Sequence, residues 1–170
     1  MKPMTITIDQ AKNEKLFYFV ANVVIYRPSD GRCLILKRSD RETARPGKWG
    51  VVGGKLEWKD LDPAHPTRVN GNVLDYEHAV EDLLAREAKE EAGVEIERKL
   101  HYINSVGYIR PDGVPVVMVK FAARYLAGDI RIEEKAFSDF RWVNADEVQQ
   151  YDCILGVPGE VAMAIKLFSR

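Results

Sequence analysis

Three carboxylates fall within five residues in the run Arg86-Glu87-Ala88-Lys89-Glu90-Glu91-Ala92-Gly93-Val94. On a helix, at about 100° per residue, Glu87, Glu90 and Glu91 share one arc of the surface. Val80, Leu83 and Leu84 precede them on that arc, so the stripe is apolar at first and acidic at its end. Like charges aimed at a wall or cleft are costly unless a cation neutralises them. Their hard oxygen atoms suit Mg²⁺ or Mn²⁺. The same run also satisfies a plain solvent-facing helix with an i,i+4 Arg86–Glu90 pair, so its neighbours must decide.

A helix end of this kind needs a sheet to hold it. Residues 17–26 are nearly continuous in β-formers and predict a central strand. Pro28-Ser29-Asp30-Gly31 is turn chemistry, and residues 33–38 return as the second half of a hairpin. Residues 5–8 alternate as a short edge strand. Residues 45–48 make a loop before a short strand over 49–56, broken by Gly53-Gly54, where backbone can approach another chain closely. Residues 57–74 are polar and punctuated by Pro63, Pro66 and Asn70-Gly71, which predicts a long loop. Asp75 is the expected N-cap of a helix over 76–92, ended by Gly93. Strands are expected over 103–108, 114–125, 130–132 and 137–143. Asn144 should cap a short helix over 145–149, and an amphipathic helix over 158–168 closes the chain. The order is that of a mixed α/β (α+β) fold and not of repeated βαβ units.

Composition narrows the classes. At 170 residues, 46% hydrophobic and 30% charged, the chain has room for one domain with a core. A net charge of −1 argues against a nucleic-acid polymer or a membrane surface as partner. Cys33 and Cys153 are the two cysteines, far apart, which fits a reducing cytoplasm and excludes a thiolate zinc site. No run reaches membrane-spanning length, and Met1-Lys2-Pro3-Met4 does not read as a secretory signal.

These features together resemble the Nudix hydrolases, whose MutT-like box is Gly-x5-Glu-x7-Arg-Glu-U-x-Glu-Glu-x-Gly-U, with U apolar. Its second half is present without a gap from Arg86 to Val94, with Ala88 and Val94 at the U positions. Trp49 to Glu57 is similar to the tryptophan and Gly-Gly-Lys-x-Glu lead-in, and residues 34–38 to the strand before it. The resemblance spans residues 19–142 and implies the Nudix fold, a mixed β-sheet sandwiched between helices, with 1–170 as one domain. Between the two halves lies an insertion of about 18 residues, placed at 58–75. Counting forward from Gly54 puts the first box glutamate on Asp60 and the arginine on Arg68. Counting back from Arg86 puts that glutamate on His78, beside Glu77. Glu77 is then either an inward substitute or an ordinary first-turn helix acid.

The resemblance implies a Mg²⁺-dependent pyrophosphohydrolase, with Mn²⁺ as the second candidate. Its substrate would be a diphosphate linkage in an NTP, nucleotide sugar or dinucleotide, attacked by metal-activated water. Glu87, Glu90 and Glu91 would hold the metal, with a carbonyl of Gly53 or Gly54 completing the shell. Arg86 would orient Glu87, and Glu134 is favoured over Glu133 and Asp139 as a further carboxylate. Arg38 and Lys55 are candidates for phosphate. Phe17, Phe19 or Trp49 are candidates for stacking a base, although strand aromatics serve equally as core. His65, His78 and His101 have no metal-ligand spacing. Two other classes stay open: a catalytically weak nucleotide-binding or regulatory module, and an isomerase-type relative that would need a cysteine at its cleft. A homodimer is compatible with the family, and the insertion is equally a lid, a dimer contact or a surface loop.

Overall fold

The computed structural model describes residues 4–170; the first three residues of the amino-terminal stretch read above lie outside the described residues. The strands are β1 (Tyr18–Arg27), β2 (Arg32–Arg38), β3 (Trp49–Gly50), β4 (Val52–Lys55), β5 (Arg68–Asn70) and β6 (Val73–Asp75). Helix α1 (Ala79–Ala92) follows, then β7 (Glu95–Ile96), β8 (His101–Ile109), β9 (Pro115–Ala127), β10 (Phe137–Val143) and helix α2 (Val157–Phe168).

Strand β1 explains the layering. Its odd positions Ala21, Val23 and Ile25 are buried on one face with Leu34 and Leu36 of β2. Its even positions Val24 and Tyr26 are buried on the other with Cys33 and Ile35. A strand covered on both faces reads as an unbroken apolar run, which is why residues 17–26 stand out in the sequence. Helix α1 lays Leu83, Leu84, Ala88 and Ala92 on the first face, and α2 lays Val157, Val161 and Ala164 on the second. β1 runs parallel to β9 and antiparallel to β2 and β4, so the sheet is mixed. Among the described residues no helix is long and apolar enough to cross a membrane.

Several expected elements differ. Residues 5–8 form no strand. The expected loop over 57–74 instead contains a 3₁₀ turn at Trp58–Asp60 and the hairpin β5–β6, in which Asn70 pairs with Val73 across Gly71-Asn72. Gly71 has φ +59°, the left-handed backbone a two-residue hairpin turn demands. Helix α1 starts at Ala79 and not at residue 76, because Asp75 is engaged in β6 and by the Arg68 guanidinium. His78 stands at the helix start instead, with φ 62°. Residues 130–132 form no strand. That segment folds against the end of α1, where Arg131 donates its N–H to the Ala92 carbonyl and Glu133 to that of Glu91. In place of the expected helix over 145–149 there is a 3₁₀ turn at Glu147–Gln150 with Asp146 at its N-cap position; the Asn144 side-chain oxygen accepts from the N–H groups of Asp146 and Glu147 just ahead of it.

Candidate active site

The acidic end of α1 is positioned by its own apolar side. Leu83, Leu84, Ala88 and Ala92 bind the helix to the sheet, and Gly93, in the left-handed region, ends it. The adjoining edge of the helix is then carried onto Gly53 and Gly54 of β4. Glu91 Oε2 accepts a hydrogen bond from the Gly53 N–H at 3.1 Å. Burial pushes the Glu91 carboxyl up to about 8; the Gly53 N–H opposes this, and the nearby charges of Glu87 and Glu133 add to it.

Glu87 lies flat on Gly54, its side chain 17% exposed. A Cβ at Gly54 would stand 2.5 Å from the Glu87 carboxyl carbon. At Gly53 the obstacle lies on the opposite face of the strand, where a Cβ would collide with the Asn22 amide and come within 2.8 Å of the Ala21 carbonyl. Each glycine is thus required by a different neighbour. Burial also raises the Glu87 carboxyl, an effect that Arg86 opposes.

Glu90 behaves differently. Its side chain is 60% exposed and sits 3.9 Å from Arg86 Nε. Among the described residues no three acidic, imidazole or thiol side chains converge into a ready coordination shell. Glu87 and Glu91 face the glycine turn together, and Glu90 stands outside with the arginine.

Arg86 joins the two halves of the site. One of its terminal nitrogens donates to Asp60, 26 residues earlier, and the other to Glu87 Oε1 at 3.3 Å. The Asp60 side chain is only 8% exposed, and its second oxygen accepts the Glu57 N–H at 2.8 Å. Asp60 is the position reached by counting forward from Gly54. Glu77 instead pairs with Arg68 at 2.8 Å and His78 is exposed, so neither meets Arg86. Within the expected insertion over 58–75, the turn Trp58–Asp60 therefore contacts the start of the acidic site through Arg86, and the hairpin β5–β6 lies between that turn and α1. The forward count carried this signal; the gap before Arg86 obscured it.

The remaining expected residues divide. Glu133 and Glu134 are both exposed, and of the two it is the charge of Glu133 that bears on Glu91. The Arg38 guanidinium is bound to the Ala44 carbonyl at 2.7 Å and to Glu42 at 2.8 Å, yet its charge still reaches Glu91. Trp49, expected as a stacking surface, is 8% exposed and packs edge-on against Tyr151, so it is a core residue. Cys33 is buried and Cys153 half-buried, both free, and neither lies among the acids. Phe19 and Lys55 line a groove of about 680 Å³ bounded by Phe17, Trp58 and Val114.

An acid-rich helix end locked onto a paired-glycine strand, in a mixed sheet between two helices, defines a class of site as well as a fold. The family model of the NUDIX domain matches residues 18–156. The chain belongs to the Nudix family. Among curated proteins, none matches the sequence. Solved structures do. A MutT NUDIX hydrolase from Burkholderia pseudomallei is 24% identical with a TM-score of 0.61, over 91% of this chain and 99% of that one. The NUDIX domain of Shewanella oneidensis NrtR, solved with ADP ribose, is 18% identical with a TM-score of 0.65, over 90% and 89%. A C. elegans Ap4A hydrolase in a binary complex is 16% identical with a TM-score of 0.58, over 89% and 97%. At these identities the likeness is one of fold.

Proposed function

We propose that this single-domain protein is a divalent-metal-dependent pyrophosphohydrolase, cleaving a phosphoanhydride bond in a nucleoside diphosphate derivative with water as the nucleophile. The observation that supports this most is the seating of Glu87 and Glu91 on Gly53-Gly54, with Arg86 held between Asp60 and Glu87. The donor set fits a hard cation: every side-chain ligand is a carboxylate, and Glu91 is a poorly solvated acid whose ionised form a cation would favour. Mg²⁺ is the first candidate and Mn²⁺ the second. When bound, such an ion supplies neutralisation of diphosphate charge and a bound water of lowered pKa.

The chain's own residues do the rest. Glu87 and Glu91 would hold the ion beside a Gly53 or Gly54 carbonyl, and Glu90 would join them by rotating its exposed side chain away from Arg86. Arg86 orients the Glu87 carboxylate and opposes the rise that burial imposes on it. Glu134 remains the candidate further carboxylate, with Glu133, whose charge bears on Glu91, beside it. Lys55, exposed beside the turn, is the cation most available to a substrate phosphate. The ADP ribose bound to the NrtR domain and the Ap4A hydrolase among the similar folds support a nucleoside diphosphate derivative as the substrate class. The proposed setting is the cytoplasm, with a small-molecule partner and no nucleic-acid polymer.

The test is release of a nucleoside monophosphate from a panel of NTPs, dinucleotides and nucleotide sugars, with Mg²⁺, with Mn²⁺ and with a chelator. Metal-dependent turnover of at least one compound is expected. Binding without turnover across the panel would replace this reading with that of a nucleotide-binding module.

A further inference from the structure

One edge of the sheet lacks the protection that strand edges usually carry. Among the described residues β8 pairs with β9 and with no other strand. A strand edge presents a row of unpaired N–H and C=O groups, which proteins guard with charge, proline or a bulge. The opposite edge, β10, carries Asp139 and Arg141. In β8 the register shift falls at Ile103, and from Asn104 to Ile109 the strand is regular, with neither charge nor proline. Its apolar side chains stand in water: Val106 is 41% exposed, Tyr108 40% and Ile109 76%.

The hairpin that ends β8 fixes which backbone groups face outward. Arg110 donates its N–H to the Val114 carbonyl, and its own carbonyl accepts from the Gly113 N–H, so its backbone points inward towards β9. Alternation along an antiparallel pair then turns Tyr108, Val106 and Asn104 inward as well, and Ile109, Gly107 and Ser105 outward. Pro115, which has no N–H to give, sits opposite Ile109, as an unbonded pair allows. The open edge therefore offers the donors and acceptors of Ser105, Gly107 and Ile109, evenly placed about Gly107. Nothing inside one copy requires glycine there: its φ is not in the left-handed region, and a Cβ would come no nearer to another residue than 3.9 Å, at the Val116 carbonyl. A glycine within a strand often marks the close approach of another backbone.

We propose that this edge binds a second copy of the chain, the two β8 strands pairing antiparallel about a two-fold axis at Gly107 to make one continuous sheet. The fit is self-complementary, as a two-fold contact requires. Ser105 of each copy exchanges hydrogen bonds with Ile109 of the other, and Gly107 with Gly107, about six bonds in all. Between them Val106 of each copy meets Tyr108 of the other, a favourable pairing of β-branched and aromatic side chains. These two lie on the face that α2 covers, as does Asn104, which is opposite Lys120, the partner of Glu160. Arg110 of each copy falls opposite the Asn104 amide of the other, so no charge along the paired residues faces a like charge. The paired edge is about 24 Å long and about 10 Å thick. That is at the small end of specific interfaces and sets the dissociation constant in the micromolar range. Strand β4 and the acidic end of α1 lie across β1 from β9, so the dimer leaves the acidic site open.

The test is analytical ultracentrifugation of the whole protein. The parent should show a reversible monomer–dimer equilibrium and be mostly dimer at about 100 μM. The side chains of Gly107→Lys and Gly107→Asp find open space in one copy, so at low concentration each variant should melt close to the parent. At the axis each sets like charges directly opposite one another, and each variant alone should weaken the dimer at least about tenfold. Mixed in equal amounts, the two variants should form a heterodimer through their opposite charges. A parent that stays monomeric at that concentration overturns the proposal and leaves the edge to a different partner or to none. A Gly107→Lys protein that dimerises like the parent overturns it too, as does a mixture of the two variants that stays monomeric.

Discussion

Gly54→Ala is the sharpest perturbation of the site. A Cβ there would lie 2.5 Å from both the carboxyl carbon and Oε1 of Glu87, and 2.7 Å from its Cγ. Non-bonded carbons settle at about 3.5–4.0 Å, so the Glu87 carboxylate must withdraw by roughly 1 Å. A flexible side chain can do this with little loss of packing, and the expected stability cost is about 1 kcal/mol, at the low end for a tight added methyl group. Catalysis tolerates such a shift poorly: a displacement of about 1 Å at a reacting centre costs on the order of 100-fold. Gly53→Ala should behave in the opposite sense. Its Cβ meets the Ala21 carbonyl at 2.8 Å as well as the Asn22 amide, and backbone cannot step aside cheaply. There the loss should appear first in stability, at about 2–3 kcal/mol. The assay pairs urea denaturation with kcat/KM across a Mg²⁺ titration for both variants. A Gly54→Ala protein that hydrolyses its substrate like the parent would refute the placement of Glu87 in the site.

Asp60→Ala removes the main partner of Arg86. The arginine is a third exposed, so the stability loss should be about 1–2 kcal/mol, below the 3–5 of a wholly buried pair; a denaturation midpoint unchanged from the parent would show that the pair holds nothing. Glu91→Gln should leave the metal-free melting temperature equal or higher, since it removes a poorly solvated acid while keeping its shape, and should lower metal-dependent turnover at least about 100-fold. Retained turnover in that variant would remove Glu91 from the site. Cys33 is held up at about 12 by burial, so a thiol reagent at pH 8 should modify it only after denaturation. Because the folded thiol keeps its proton while an unfolded one ionises near 8.5, this residue's contribution to stability is present below that value and is lost as the pH climbs towards 12. A pH-stability curve for Cys33→Ala that falls as steeply as the parent's above pH 9 would contradict this.

Periodic features are legible in the chain itself because they depend on neighbours a few residues away. The unbroken apolar run of β1, the stripe that carries Leu83 and Leu84 before Glu87 and Glu91, and Gly93 at the helix end all follow from local period and backbone freedom. The glycine pair before the acidic helix was also readable, and with it the class of chemistry. What needed the tertiary structure were choices among residues of equal local standing. Glu77, His78 and Asp60 are all polar and near the break in the box, and only the return of the chain through the β5–β6 hairpin puts Asp60 against Arg86. Trp49 and Trp58 lie nine positions apart in one segment, yet one is packed on Tyr151 and the other stands in water. Burial is a property of what the rest of the chain brings over a residue, and ion pairing across an insertion depends on where the inserted chain returns. Neither quantity has a period that a linear pattern can display.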